Sequence, residues 1–378
     1  MAALNEEQSM IRDQAKAWVT EQSPVRKFRQ MRDEKVENQF FADTWSAMIE
    51  MGWTGIIIPE QFGGSDLGFL TFGVIQEELG RQLAASPLFA SALVGASAVL
   101  LGGNENQKQE LLPKIVNGSE ILTLAVDEGP RHAPERVCLQ AEKQTTGFSI
   151  SGQKTFVHEG MAATSFIVAA RTSGSTGDTG GITLFVVPAE LPGISRESIS
   201  TVDSRGYANV HFDKVEVAPS SVLGKVDEGY PILEATLDRA RAGLASEMLG
   251  TAAQAFDMTL EYLKTRVQFG QVIGSFQALG HRAATLFTSM ELARSCIEAA
   301  MESIDAENDN IAEMCSLSKC RAGDFLHEMS NQLIQIHGGI GMTDEFDAGF
   351  YLKRARVLEA AFGNQAYHRD RYARCLGF

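Results

Sequence analysis

The sequence predicts an α+β protein with a helical N-terminal domain, a middle β domain and a C-terminal domain like a four-helix bundle. Two observations predict this order. The spacing of apolar residues changes from three or four positions to two near residue 119, and it changes back near residue 225. Between these points, short apolar segments are separated by glycine-rich turns. We therefore expect domains at residues 1–118, 119–224 and 225–378.

The N-terminal segment has helical periodicity, because residues 6–22 and 41–53 carry apolar residues three and four positions apart. Residues 82–104 contain no charged residue, and a stretch of this length could cross a bilayer. However, Pro87 and many glycine, alanine and serine residues make it only mildly apolar. We expect a buried pair of small-residue helices here and no membrane span.

The middle segment has the period of β-strands. Residues 147–157, 164–171, 181–187 and 208–217 alternate in polarity or form short apolar runs, and residues 173–181 form a glycine-rich turn. From about Glu228 the chain is predicted to be helical again. The first helix of this part, 233–264, carries an apolar stripe at helical spacing that leads to Glu247 or Met248, namely Leu233, Leu237, Ala240 and Leu244.

Charge and cysteine content exclude several classes of protein. The chain has 33 basic and 48 acidic residues, a net charge of −15, and nucleic-acid binding needs a basic surface. The five cysteines include no CxxC pair, which indicates a reducing compartment with neither disulfide framework nor thiolate zinc site. The first residues lack a basic-then-apolar signal pattern. We expect a cytoplasmic protein without a metal site.

Two short motifs carry chemistry. The first is Arg266-Val-Gln-Phe-Gly270 with Ile273-Gly-Ser-Phe-Gln277, and the second is Gln335-Ile-His-Gly-Gly-Ile-Gly341. Glycines allow backbone N–H groups to approach an anion, and a guanidinium suits a pyrophosphate. Alone, each motif is compatible with a glycine-broken helix end or an exposed arginine. Together and in this order they resemble the signatures RxxFG and QxxGGxG of acyl-CoA dehydrogenases.

The resemblance continues over most of the chain. Residues 52–64 and 77–81 resemble the N-terminal segment of that family, and residues 106–118 resemble its entry to the β domain. Residues 152–158 match a flavin-contacting strand, and residues 212–224 match the exit from the β domain. The resemblance implies the acyl-CoA dehydrogenase fold, an FAD shared across a subunit interface, a dimer or dimer-based tetramer, an acyl-CoA substrate and an electron-transfer flavoprotein as electron acceptor.

The resemblance also assigns residues to this site. The flavin wall of the chain's own β domain would include Asp127, Phe156, Val157 and His158. Asp238 and Arg241, one helical turn apart, match positions that hold the CoA moiety. The contacts to FAD across the subunit interface would come from Arg266, Gln268, Phe269, Phe276, Gln277, Gln335, Gly338 and Gly339. Asn364 is a further expected contact to the cofactor. His337, inside the second motif, is expected to pack in a turn rather than to react.

The chain departs from the family at the flavin loop and at the catalytic base. In the loop, which usually reads TEPxAGSD, His132 replaces a glycine and Ala133 a serine, and His158 replaces a threonine or serine. The usual catalytic glutamate, in a Tyr-Glu-Gly-Thr run, is matched by Phe362, which cannot take a proton. A second subgroup has its base immediately before the CoA-contacting arginine, and that position is Ala240 here.

We therefore expect a relocated base, and Glu247 is the first candidate. It follows Ala240 by seven residues on one helix, which returns it to within about 20° of the same face. The alternative interpretation is that Glu247 pairs with a nearby arginine or reaches solvent. Glu359, one turn before Phe362, is a weaker candidate because its helix face points about 60° away from the position of the family's glutamate.

The resulting hypothesis is an FAD-dependent enzyme that desaturates an acyl-CoA thioester at the α,β bond, in lipid or steroid catabolism. The leading alternative is a non-catalytic structural subunit that forms a heteromer with an active homologue, which Phe362 and the altered flavin loop favour. A third hypothesis is a flavoprotein oxidase on the same fold, whose flavin would be reoxidised directly by oxygen.

Overall fold

The computed structural model describes residues 4–378. It confirms the α+β class and the order of helices, strands and helices. The chain separates into two compact units, of which the first comprises residues up to Gln30, Phe69–Ala84 and Arg241–Phe378, and the second Met31–Gly68 and Ala85–Ala240. In the first unit, residues of early and late helices such as Leu70, Ala242 and Met301 share one apolar core. Domain boundaries at 118 and 224 therefore stay a prediction.

The N-terminal part is helical. Its helices are α1 (Glu6–Gln22), α2 (Val25–Glu34), α3 (Ala42–Glu50), α4 (Gly68–Arg81), a π-helix (Phe89–Gly95), α5 (Ala96–Gly102) and α6 (Glu105–Val116). Capping boxes fix the starts of α1 and α6. Asn5 and Asn104 accept hydrogen bonds from the backbone three residues later, and the glutamines there accept one in return.

Residues 83–99 of the uncharged stretch are buried as predicted, but the predicted helix pair is wrong. The π-helix continues directly into α5, because Gly95 keeps right-handed helical angles and does not break the helix. Gly95 is required by close packing, since a Cβ there would lie 2.3 Å from the carbonyl oxygen of Leu122. Across residues 4–378, no helix combines the length and apolar character that a membrane crossing needs.

The β domain is one eight-stranded sheet. Its strands are β1 (Leu122–Ala125), β2 (Gln140–Lys143), β3 (Phe148–His158), β4 (Ser165–Arg171), β5 (Ile182–Pro188), β6 (Ile194–Ser198), β7 (Tyr207–Val217) and β8 (Val222–Leu223). They are ordered β6-β7-β3-β2-β4-β5-β8, and β1 pairs in parallel with β4. Alternate apolar side chains of these strands, such as Ile150, Val168 and Val210, form a single core.

The C-terminal part is helical apart from one hairpin. Its elements are α7 (Tyr230–Thr265), β9 (Val267–Gln268), β10 (Gln271–Val272), α8 (Gln277–Asp305), α9 (Ile311–His337), α10 (Ala348–Ala360) and α11 (Gln365–Cys375). The stripe predicted on α7 is confirmed, since all four of its residues are fully buried. Helix α9 packs against α8, α10 and α11. Two sites depend on α9, because it ends in the glycine motif and carries a buried lysine.

Candidate active site

The arginine motif forms an exposed hairpin after α7. Strands β9 and β10 pair antiparallel, and Gly270 makes the tight turn with φ +79°. Phe269, at φ +53°, is 87% exposed, and its ring lies 6.1 Å from that of Phe276 in an edge-on arrangement. The Arg266 side chain is exposed as well. A large apolar side chain held out of the fold beside a guanidinium is typical of a contact surface.

The glycine motif follows the last turn of α9. Gly338 has φ +61° and ψ −133°, which non-glycine residues rarely adopt. The space that a Cβ would take at Gly338 and Gly339 is open, so these backbone groups are accessible to a ligand. Gln335 is exposed one turn earlier on the helix.

His337 packs in this turn, as predicted. Its ring lies 4.3 Å from that of Tyr262 and 4.8 Å from that of Phe346. Its Nδ1 lies 2.8 Å from the carbonyl oxygen of Leu333, and burial lowers the pKa of the imidazole. A neutral ring that donates Nδ1–H to the helix backbone is a packing element.

In the second unit, the predicted flavin wall lies on β3. The pairing of β3 with β7 shifts between Lys154 and Val157, and this bulge places Phe156 at φ +57° with 41% of its surface exposed. Val157 points into the core of the sheet, which leaves only its backbone for a ligand. His158 stacks edge-on with Tyr207 at 4.7 Å. The wall is therefore aromatic.

The loop after β1 closes upon itself. Both carboxylate oxygens of Asp127 lie 3.0 Å from Nδ1 of His132, and the backbone N–H of Ala133 lies 3.4 Å from one of them. The Asp127 carbonyl accepts a hydrogen bond from Thr155 N, which ties the loop to β3. His132, at a glycine position of the family pattern, thus contacts the Asp127 carboxylate that was predicted to contact a cofactor.

The turn between α10 and α11 holds Phe362 in a left-handed conformation. Phe362 has φ +53° and Gly363 has φ +101°, and the Phe362 ring is buried. Its carbonyl lies 3.1 Å from Nε2 of His368. Burial, with Lys319, Arg241 and Arg371 nearby, lowers the pKa of His368, so a neutral imidazole donates to this carbonyl.

Asn364 ends this turn and caps α11. Its side-chain oxygen accepts a hydrogen bond from Tyr367 N at 3.0 Å, so the carbonyl end of the amide serves the helix. The contact to FAD that was predicted for Asn364 would therefore involve the amide nitrogen.

Lys319, which the sequence analysis did not single out, anchors the same turn through hydrogen bonds to its backbone. Lys319, fully buried on α9, donates to the carbonyls of Leu358, Glu359 and Gly363 at 3.0, 3.4 and 3.1 Å. Burial lowers the pKa of the ammonium group to about 7. A cation at the C-terminal carbonyls of a helix is favourable. The only sequence signal is a lysine among the buried positions of α9.

Glu247 forms a buried ion pair. Its Oε1 accepts hydrogen bonds from Nε and Nη2 of Arg354 at 2.9 and 2.6 Å, and its Oε2 accepts one from Gln76 at 3.1 Å. The glutamate is only 3% exposed. The structure therefore has the arrangement that the alternative interpretation expected, an internal pair with an arginine. The role of Glu247 as a base stays a prediction, and this geometry does not favour it.

Glu359, the weaker candidate, is also paired. Its two oxygens lie 2.6 Å from Nη1 of Arg356 and 3.0 Å from Nδ1 of His327. Asp238 and Arg241, predicted to bind CoA, are both buried on α7. Arg241 donates to the Tyr367 hydroxyl at 3.3 Å, which links α7 to α11. The CoA contacts of Asp238 and Arg241 stay a prediction. Both side chains are buried within the fold, so the structure does not present them to a ligand.

Comparison with known proteins decides the family. Models of the N-terminal, middle and C-terminal domains of acyl-CoA dehydrogenases match residues 5–119, 133–215 and 227–377. A mitochondrial 2-methylacyl-CoA dehydrogenase of Solanum tuberosum is 30% identical over 86% of this chain and 80% of its own length. The chain belongs to the acyl-CoA dehydrogenase family, oxidoreductases that act on CH–CH groups.

Two solved structures are similar to this acyl-CoA dehydrogenase throughout. A chain in the structure of the electron-transferring flavoprotein of Acidaminococcus fermentans has a TM-score of 0.92 at 28% identity, with 100% and 99% of the two chains covered. A chain of the ChsE4–ChsE5 complex of Mycobacterium tuberculosis has a TM-score of 0.89 at 26% identity, with 99% and 98% covered.

The residues of this acyl-CoA dehydrogenase fit FAD. In the first unit, the exposed guanidinium of Arg266 has no hydrogen-bond partner among residues 4–378, and the open glycines fit the approach of a phosphate. In the second unit, the exposed face of Phe156 beside His158 fits a flat ring system. Each unit thus exposes groups whose chemistry suits one part of FAD.

Proposed function

We propose that the protein desaturates an acyl-CoA thioester at the α,β bond with FAD as cofactor. The observation that carries this proposal is that one chain exposes Arg266 and the backbone of Gly338 and Gly339 and also has an aromatic wall on a bulged strand. Bound FAD would supply the redox chemistry, taking up the hydride from the β-carbon. Arg266 and the backbone of Gly338 and Gly339 would hold its pyrophosphate, and Phe156 and His158 would face its ring.

The proposed assembly is a dimer or a dimer-based tetramer. Phe269 and Val267 are exposed beside Arg266, which favours a protein surface over them. The electron acceptor proposed is an electron-transfer flavoprotein, in keeping with the similar chain in the Acidaminococcus structure. A reducing compartment such as the cytoplasm is proposed because all five cysteines are free thiols.

A second candidate function is that of a subunit whose homologous partner supplies the base. Phe362 occupies the usual base position, and both relocated candidates, Glu247 and Glu359, are held in ion pairs. The similarity to a chain of the two-component ChsE4–ChsE5 complex supports such an assembly. In this form the chain would still contribute its arginine hairpin and glycine turn to shared flavin sites.

The experiment that tests the proposed function is anaerobic mixing of the flavin-loaded protein with acyl-CoA thioesters and with the matching free acids. We expect the thioester to perturb or bleach the flavin spectrum and the free acid to leave it unchanged, because binding of the carrier positions the reacting carbons. Bulky and ring-bearing acyl groups belong in the series, since a missing family base favours an unusual substrate. Equal spectral changes with acid and thioester would contradict the proposal.

A further inference from the structure

A buried ion pair lies behind the aromatic wall of the β domain. The ammonium group of Lys154 on β3 donates to Glu128 Oε1 at 2.6 Å and to the Val126 carbonyl at 3.0 Å. The Lys154 side chain is fully buried, whereas that of Glu128 keeps 16% of its surface. Burial lowers the pKa of Lys154, and Glu128 opposes this effect.

Glu128 also binds a third segment. Its Oε2 accepts a hydrogen bond from Cys138 N at 2.8 Å, and its Oε1 accepts one from Leu139 N at 3.0 Å. The pair therefore connects β3, the loop after β1 and the approach to β2. Strand β1 ends at Ala125 and β2 begins at Gln140. The pair thus supplies hydrogen bonds where the chain has left the regular sheet.

These contacts surround the residues that would face the flavin. Asp127 lies between Val126 and Glu128, and its carbonyl accepts a hydrogen bond from Thr155 N at 2.8 Å. The β3 bulge that exposes Phe156 begins directly after Lys154. The loop segment is consequently held by the ammonium group of the residue from which the β3 bulge starts.

A purely structural role for these two residues would not require a buried ion pair. Replacing a buried ion pair by apolar residues of similar volume is often neutral or stabilising, whereas removing one partner is strongly destabilising. An ammonium group can donate up to three directed hydrogen bonds, which a methyl group cannot. Lys154 uses two of them, to the Val126 carbonyl and to the Glu128 carboxylate. Fixed spacing of the loop and the bulge matters where a rigid planar ligand must fit against both.

We propose that Lys154 and Glu128 are positioning residues, which set the distance between the Asp127 loop and the Phe156 bulge so that together they fit the flavin ring. This inference rests on the proposed function, since it presumes that the wall receives FAD. Neither residue touches the ring in this proposal. Both act through the backbone that they hold.

The test compares the assembled wild-type protein with Lys154→Met, Glu128→Gln and the double variant. The readouts are the flavin dissociation constant, the visible absorption and circular dichroism bands of the bound flavin, and thermal unfolding. The matched control is Gln107→Leu in the same unit. Gln107 also donates to two backbone carbonyls, but it lies on α6 and its acceptors, Ser220 and Val222, lie just before and in β8, outside the wall.

We expect Lys154→Met to raise the flavin dissociation constant by about tenfold, equivalent to about 1.4 kcal/mol, and to shift the flavin bands. Gln107→Leu should lower the unfolding temperature without moving the bands. If the flavin bands and the flavin affinity of every wall variant match those of the control, the positioning role is wrong but the proposed function stands. If the wild-type assembly holds no flavin, both the positioning role and the proposed function are wrong. If Lys154→Met does not fold, the near-isosteric Glu128→Gln decides by the same readouts.

Discussion

Glu247 is the residue whose role most affects the proposed reaction, because its carboxylate serves either as the base or as one partner of an ion pair. Its carboxylate accepts two hydrogen bonds from Arg354 and one from Gln76, all within the first unit. A proton acceptor needs a free lone pair within reach of the substrate. The three accepted hydrogen bonds leave one acceptor site, on Oε2, and the carboxylate is only 3% exposed, so this arrangement favours the ion pair over a base.

The first prediction separates these roles by stability. Glu247→Ala should lower the free energy of unfolding by about 3–5 kcal/mol, because it leaves the Arg354 guanidinium buried without its partner. The double variant Glu247→Leu/Arg354→Met should recover most of that loss. In a Glu247→Gln variant that still binds FAD, a cognate acyl-CoA should reduce the flavin at close to the wild-type rate. Reduction slowed by several orders of magnitude, with binding intact, would instead identify Glu247 as the base.

The second prediction concerns Phe362, which has a left-handed backbone conformation and which the sequence resemblance matches to the family's glutamate. Phe362→Glu would place a carboxylate there without changing the backbone, which already tolerates a non-glycine residue at φ +53°. Since general bases contribute about 10²–10⁴-fold, flavin reduction by acyl-CoA should accelerate at least tenfold. The control is Phe362→Gln, of the same length but without a proton acceptor. Equal rates for both variants would show that the missing base is not what limits the chain.

At the scale of elements, α9 and α10 are joined by Lys319. Its ammonium group donates to the last carbonyls of α10 and to Gly363, so the turn that carries Phe362 is fixed from inside. Glu359, Arg241, Cys320 and His368 are the ionisable groups that interact with it. Burial dominates and lowers the Lys319 pKa to about 7 from its ordinary value of 10.5.

The third prediction follows from this shift. Between about pH 7 and 10.5 the unfolded chain binds more protons at Lys319 than the folded protein does, so stability should rise with pH. The rise is at most about 1.4 kcal/mol per pH unit. Denaturant unfolding of the wild type and of Lys319→Met at pH 7.5 and 9 measures it. The variant should lack this slope, and parallel curves would refute the assigned titration.

The fourth prediction concerns the hairpin of β9 and β10. Arg266→Ala should weaken flavin retention by about tenfold or more, because charge-assisted hydrogen bonds contribute about 1.5–3 kcal/mol. The fold should be unaffected, since the side chain is exposed. Lys264→Ala, two residues earlier and also exposed, is the control for loss of a positive charge. Unchanged flavin occupancy of the Arg266 variant after extensive dialysis would remove this residue from the site.

Elements differ in how far sequence predicts them. The stripe on α7 and the alternation in the strands are periodic, so they were predicted and are confirmed. The merging of the π-helix with α5 was missed, because glycine and alanine patterns do not show whether a helix breaks. The hairpin after Arg266 was missed because its two-residue strands are too short to show a period.

The candidate site shows the same limit more sharply. Resemblance to the family's motifs assigns Arg266 and the glycines to a cofactor, and this assignment stays a prediction. The partner of Glu247 is Arg354, 107 residues later, and no local pattern connects the two. The Lys154–Glu128 pair is hidden for the same reason, being 26 residues apart on two different segments.

At the scale of the whole molecule, the two proposed functions differ in what one chain type can build alone. The arginine hairpin and glycine turn are exposed in the first unit, and the aromatic wall is formed within the second. If copies of this chain complete each other's sites, the homo-oligomer holds flavin. If the His132–Asp127 contact closes the wall to FAD, flavin enters only with a homologous partner.

The most direct test of the central claim is the flavin-to-chain ratio of the purified protein, measured by absorbance on the same fractions that give its mass by light scattering. We expect a yellow dimer or tetramer with about one FAD per chain. Flavin should be lost when dilution dissociates the oligomer, because in the proposed assembly the groups for one FAD come from two chains. A colourless oligomer that remains colourless with added FAD would contradict the proposed function and identify the chain as a subunit that needs a partner.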